Sequence, residues 1–225
     1  MIDFVNNLSP NIKASIIIII AIMIIVTIIG HKVGKLKPTD RPKGVVFIAI
    51  LLVDMLNNFI QEFYGKKWRS FAPLLIAILL FLAFANTSSL FGLPNPLANI
   101  NVALSFSAFA FLTIQISGII VRNPINRMKD LSSPKWWLLP INLVGEVSTP
   151  LAMGLRLFGN LLSGSVMAIV VFNLLNSVSA IIVTTLVLHP IFNIGFGLIQ
   201  AFVYFMLLTI FLSMAVSEEE EVATE

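Results

Sequence analysis

Cysteine is absent from the 225 residues, which excludes disulfides, thiolate metal sites and thiol nucleophiles. Histidine occurs only twice, and His189 has no second histidine near it in sequence, so the composition argues against a metal centre. No P-loop, hydrolase triad or dinucleotide fingerprint is present, and no internal repeat suggests an inverted-repeat transporter. Charge is scarce as well. Asp, Glu, Lys and Arg make up 11% of the chain against 58% apolar residues, with a mean hydropathy of +0.98. A soluble domain with a polar surface does not have that composition; an integral membrane protein does.

The net charge of +3 and pI near 9.3 do not indicate nucleic acid, because the basic residues sit in short clusters between apolar runs. Five segments reach or approach the roughly 20 apolar residues needed to cross the hydrocarbon: 14–30, 71–91, 102–121, 138–175 and 178–216. The first carries its basic residues after the apolar run and has no small-residue cleavage site, so it reads as a retained span rather than a signal peptide. In segment 44–64, Asp54, Asn57, Asn58, Gln61 and Glu62 recur at helical spacing. That stripe predicts an amphipathic helix in the interface, with a buried span as the alternative.

Lys32, Lys35, Lys37, Arg41 and Lys43 follow the first span, and Arg122, Arg127, Lys129 and Lys135 follow the third. Both clusters are expected on the cytoplasmic side, which puts the N-terminus outside and the C-terminus, with its acidic tail 217–225, inside. The last two segments hold about 38 residues each, on the order of 55 Å of helix, and must tilt or bend to fit. Pro140, Pro150 and Pro190 mark where a bend or an irregular start is expected. The fold class is therefore all-α: five transmembrane helices plus one interfacial amphipathic helix, the last two long and steeply tilted.

Arg156 is the only Lys or Arg between Lys135 and Glu218. Holding a guanidinium near mid-bilayer costs about 3 kcal/mol or more, so it is a candidate functional residue. Asn160 and Ser163 follow at four and three residues and share its helix face, with Gly159 and Gly164 beside them. On the last segment His189, Asn193, Gln200 and Tyr204 form a second polar stripe, and antiparallel packing would set the two face to face. Asn160, Ser163, Asn193 and Tyr204 read equally as interhelical hydrogen-bonding residues, and Gly154, Gly159, Gly164, Gly195 and Gly197 as close-packing positions. His189, next to Pro190, reads as a helix-end residue or a proton relay. The only carboxylate in the five segments is Glu146, ten residues before Arg156, about 15 Å along the axis and some 80° round. A salt bridge between them would need the helix to break, so the anionic partner of Arg156 is expected on another chain.

Gly154-Leu155-Arg156-Leu157-Phe158-Gly159-Asn160, then Gln200-Ala201-Phe202 and Leu212-Ser213-Met214-Ala215, resemble the a subunit of F-type ATP synthases, in its bacterial form. The resemblance runs over essentially the whole chain. It implies a non-catalytic stator subunit, one copy per complex, in the bacterial plasma membrane. It further implies the c-subunit ring and the b subunits of the peripheral stalk as partners, and neither cofactor nor nucleic acid. Arg156 would face the rotor carboxylates, Asn160 and Gln200 would line that interface, and two offset half-channels would meet there. Glu146 would line an access path, with Ser148, Thr149 and Ser163 contributing. Many relatives carry an ionisable Glu or His where this chain has Ser165 and Asn193, so protons are the default coupling ion and sodium the alternative, since neutral oxygens also ligate hard cations. Two readings compete: a stand-alone secondary transporter binding an anionic solute at Arg156, and a purely structural membrane anchor.

Overall fold

The computed structural model describes residues 9–36, 42–122, 137 and 139–216. Lys37, Arg41, Arg127, Lys129, Lys135, Leu138 and the acidic tail lie outside the described residues. Among the described residues the chain is helical without strands: α1 (Pro10–Gly34), α2 (Val45–Tyr64), α3 (Trp68–Thr87), α4 (Ile100–Arg122), α5 (Leu139–Leu174), α6 (Ser177–Val183) and α7 (Gly197–Val216). Five stretches among them are long and apolar enough to cross a membrane: Pro10–Gly34, Val45–Phe91, Ile100–Val121, Leu139–Leu174 and Ser177–Val216. In lipid every backbone amide and carbonyl must be paired within the segment, so even the β-branched isoleucine run of α1 winds as a helix.

Buried residues trace a narrow seam on each outer helix. α1 buries Ala14 and Ile18, α2 buries Leu56, Ile60 and Tyr64, and α4 buries Ala103, Ser107, Ala110 and Ile114. Those spacings of three and four give each helix one protein-facing side and leave the rest for lipid. α7 is the exception. It buries eleven of its twenty residues and packs chiefly on α3 and α4, so it forms the centre of the fold. Aromatic contacts tie this layer together: Phe81 stacks on Phe106 at 5.3 Å, and Phe106 meets Tyr204 edge-on at 6.4 Å.

α2 docks along its seam, where the Tyr64 hydroxyl donates to the Thr209 carbonyl at 3.0 Å and Phe59 lies 5.8 Å from Phe205. Asp54, Asn58, Gln61 and Glu62 are exposed on its other side. At its end Gly65 has φ +51, a conformation that a side chain resists, and the chain turns there into α3.

The last two long elements hold 36 and 40 residues, on the order of 54 and 60 Å, well beyond the about 30 Å of a hydrocarbon core. Their prolines act differently. Pro150 sits buried within α5 without ending it, whereas winding becomes π-helical over Thr184–Leu188 and again over Pro190–Phe196. Proline removes an amide donor, and local i→i+5 winding is one way a helix accommodates the loss.

α5 approaches α4 through Gly154. A Cβ built there would lie 2.7 Å from both the Ala103 carbonyl oxygen and the Ser107 Cβ, so the two backbones meet across three small residues. Gly154→Leu is expected to overpack this contact by about 1–3 kcal/mol and reduce the folded chain recovered in detergent. Thermal unfolding followed by size-exclusion chromatography checks it; recovery and melting equal to the parent would refute the contact.

Candidate functional site

Arg156 stands at the middle of α5 with its side chain exposed. Among the described residues it has no hydrogen-bond or ion-pair partner. The protein-facing seam of α5 runs through Pro150, Met153, Gly154 and Leu157, so the guanidinium lies off that seam, on the flank of the helix. It opens into a cleft of about 380 Å³ lined on α5 by Gly159, Asn160 and Ser163, and opposite by Phe196, Ile199 and Gln200. The helical spacing therefore places Arg156, Asn160 and Ser163 together, and Gln200 faces them. The Ser163 hydroxyl donates to the Gly159 carbonyl at 2.8 Å, which leaves its lone pairs as acceptors.

The second stripe does not stay in register. His189 is exposed and Asn193 half-buried, and neither lines the Arg156 cleft. Spacing them from Gln200 at 3.6 residues per turn fails because both precede or lie in the π-helical stretch. Tyr204 requires a correction of the face-to-face expectation. It is fully buried, and its hydroxyl donates to the Phe106 carbonyl at 2.8 Å, so it faces α4 instead of the cleft. One turn beyond Gln200 the neighbour of α7 has changed. Ser165 is exposed, with its hydroxyl donating to the Leu162 carbonyl at 2.8 Å, outside the cleft.

The glycines also separate. Gly154 and Gly197 are in close contact, the latter with a Cβ position 2.9 Å from the Asn86 Cβ, and the Asn86 amide donates to the Gly197 carbonyl at 2.8 Å. Gly164 packs against Phe192 at 3.1 Å. A Cβ at Gly159 would meet nothing within 4 Å. Close packing within the chain accounts for the first three and leaves Gly159 unexplained by it.

Glu146 lies in a second, larger cavity of about 500 Å³, lined by Asn142, Gly145, Thr149 and Pro150 of α5, Ile114 of α4, and Phe211, Met214 and Ala215 of α7. Its carboxylate accepts a hydrogen bond from the Gln115 side-chain amide. Gln115 was not singled out by spacing, because no periodic stripe accompanies it; its one signal is being the sole long polar side chain in α4 before Arg122. Ser148 is exposed and outside the lining, while the Thr149 hydroxyl donates to the Gly145 carbonyl at 3.2 Å. No cluster of three or more His, Cys, Asp or Glu that could hold a metal occurs among the described residues.

Two polar openings thus lie along α5, one around a guanidinium unpaired among the described residues and one around a hydrogen-bonded carboxylate. The chain is 33% identical over 184 residues to the ATP synthase subunit a of Oleidesulfovibrio alaskensis, covering 80% of this chain and 75% of that one. With the ATP synthase subunit a of Geobacter sulfurreducens it shares 29% identity over 208 residues, 89% of this chain and 85% of the relative. With that of a Sulfurihydrogenibium species it shares 27% over 210 residues, 91% and 98% respectively. Residues 14–213 match the ATP synthase A chain family, a span holding the Arg156 cleft, Gln200 and Glu146 with its amide partner, and the chain belongs to that family.

Proposed function

We propose that this chain is the stator against which the carboxylates of a c-subunit ring turn, with Arg156 as the fixed charge that they pass. The observation that carries the reading is the guanidinium itself: mid-helix, exposed, and without a partner among the described residues. A carboxylate arriving beside it has its charged form favoured, so it releases its ion to one access path and reloads from the other after passing. The same charge repels cations that would otherwise run directly between the two paths. Each elementary charge moving through about 100 mV releases about 2.3 kcal/mol to bias rotation.

Asn160, Ser163 and Gln200 are assigned to the rotor-facing cleft, and Glu146 to an access path. The latter cavity gathers the early part of α5 and the last residues of α7, the ends expected to face the cytoplasm, so this path is assigned to that side. His189, Asn193 and Ser165, outside the cleft, are assigned to the opposite path. Tyr204 holds α7 on α4 and serves the path only indirectly. α2 is assigned to the interface, supported by its docked seam and the exposed Asp54, Asn58, Gln61 and Glu62 on its other side. The c ring and the b subunits are the expected partners, in a bacterial plasma membrane, with a cytoplasmic C-terminus. A stand-alone transporter finds no support in the comparisons.

Protons are the default coupling ion, and the neutral oxygen-bearing Ser165 and Asn193 make sodium the second reading. Because the chain has no cysteine, single cysteines test the docking cleanly. Ser163→Cys is expected to cross-link, under mild oxidation in membranes, to a cysteine placed beside the rotor carboxylate, whereas a cysteine at lipid-facing Ile20 is not. Absence of the Ser163 cross-link, with the complex assembled, would sink the docking. ATP hydrolysis by the complex with and without sodium, across pH, decides the ion.

A further inference from the structure

We propose that Gln115 of α4 is the positioning residue for Glu146: its side-chain amide fixes the carboxylate at the wall of the cavity between α4, α5 and α7. The inference rests on the assignment of Glu146 to an ion access path. Gln115 and Glu146 are 31 residues apart in sequence and both half-buried, and the amide nitrogen donates to a carboxylate oxygen across the α4–α5 contact. Ile114, the neighbour of Gln115, lines the same cavity.

The chemistry of the pair is directional. A carboxylate accepts and does not donate, so it selects the nitrogen end of the amide and turns the Gln115 carbonyl oxygen away, free to accept from water. One turn along α5, Thr149 uses its hydroxyl hydrogen on the Gly145 carbonyl and presents lone pairs. Asn142, four residues before Glu146, falls on the same helix face and lines the same cavity. The cavity therefore carries oxygen-bearing side chains beside one oriented carboxylate, a lining suited to hydronium or a monovalent cation. Without Gln115 the carboxylate keeps its charge but loses the tie to α4 that this amide supplies. A side chain of that length has three rotatable bonds and can swing out of the path.

The test uses the whole ATP synthase in inverted membrane vesicles, reading ATP-driven charge uptake with a potential-sensitive dye and assembly by quantitative blotting. Gln115→Met keeps length and removes the amide; Gln115→Glu keeps shape and replaces the donor with an acceptor. Each is expected to lower uptake about tenfold at parental assembly, the scale of a lost hydrogen bond to a charged group. The double variant Gln115→Met with Glu146→Gln is expected to match Glu146→Gln alone, because a residue acting through another adds nothing once that other is gone. Uptake within twofold of the parent in Gln115→Met, alongside a defective Glu146→Gln, overturns the positioning role and leaves the access path standing. Losses that multiply in the double variant, or failure of both Gln115 variants to assemble, make Gln115 a folding residue and overturn it too. Parental uptake by Glu146→Gln instead removes the access-path reading on which the inference rests.

Discussion

Arg156→Ala is expected to abolish ATP synthesis in energised membranes while the chain still folds and assembles. The two halves of that result have opposite physical signs. Removing a mid-membrane guanidinium relieves an insertion cost of about 3 kcal/mol, and Arg156 makes no hydrogen bond or ion pair among the described residues that its loss would break. Folding should therefore be unharmed. For the passing rotor carboxylate the change is large: a unit charge about 4 Å away is worth on the order of 4 kcal/mol at an effective dielectric of 20, or about a thousandfold. Arg156→Lys should also be severely impaired, because an ammonium is more tightly hydrated and lacks the planar fork that meets a carboxylate on two sides. ATP synthesis by inverted vesicles under an imposed ion gradient, normalised to assembled complex, checks both. A parental rate in Arg156→Ala would refute the stator role, and a drop explained wholly by lost protein would favour a structural anchor.

How much of this was legible beforehand depended on which physical constraint was acting. Lipid imposes length and apolarity on each crossing, and segments 102–121 and 138–175 fall close to Ile100–Arg122 and Leu139–Leu174. The grouping of Arg156, Asn160 and Ser163 needed only helical spacing, and α5 is α-helical throughout. The stripe from His189 to Tyr204 could not be extrapolated that way. Two π-helical stretches precede Gln200, and composition does not announce the changed winding beyond the hint of Pro190. Gln115 was invisible for another reason. Its partner is 31 residues away on a different helix, and pairing across helices leaves no periodic trace. Gly154 and Gly159 looked equivalent in sequence, and only the packing of α4 tells them apart.

That last difference yields the second large prediction. Gly159→Leu is expected to leave folding intact and to reduce ATP synthesis at least tenfold. Within the chain a Cβ at Gly159 enters open space, so leucine there overpacks nothing, and replacing a mid-helix glycine favours the helix by about 0.5–1 kcal/mol. Thermal stability of the purified chain should equal or exceed that of the parent, the reverse of Gly154→Leu, whose Cβ lies 2.7 Å from the Ala103 carbonyl oxygen. Function should fall because Gly159 lines the cleft beside Arg156, one helical turn along, where a rotor helix must come close for its carboxylate to reach the guanidinium. A leucine holds the two helices apart, and the Coulomb attraction that drives ion release weakens with the added distance. Gly159→Ala, a single methyl, should lose only a fraction of the rate. Synthesis by both variants, measured beside melting temperature and cross-linking from Ser163, separates the outcomes: normal synthesis in Gly159→Leu would mean that the space beside Arg156 is not where the rotor passes.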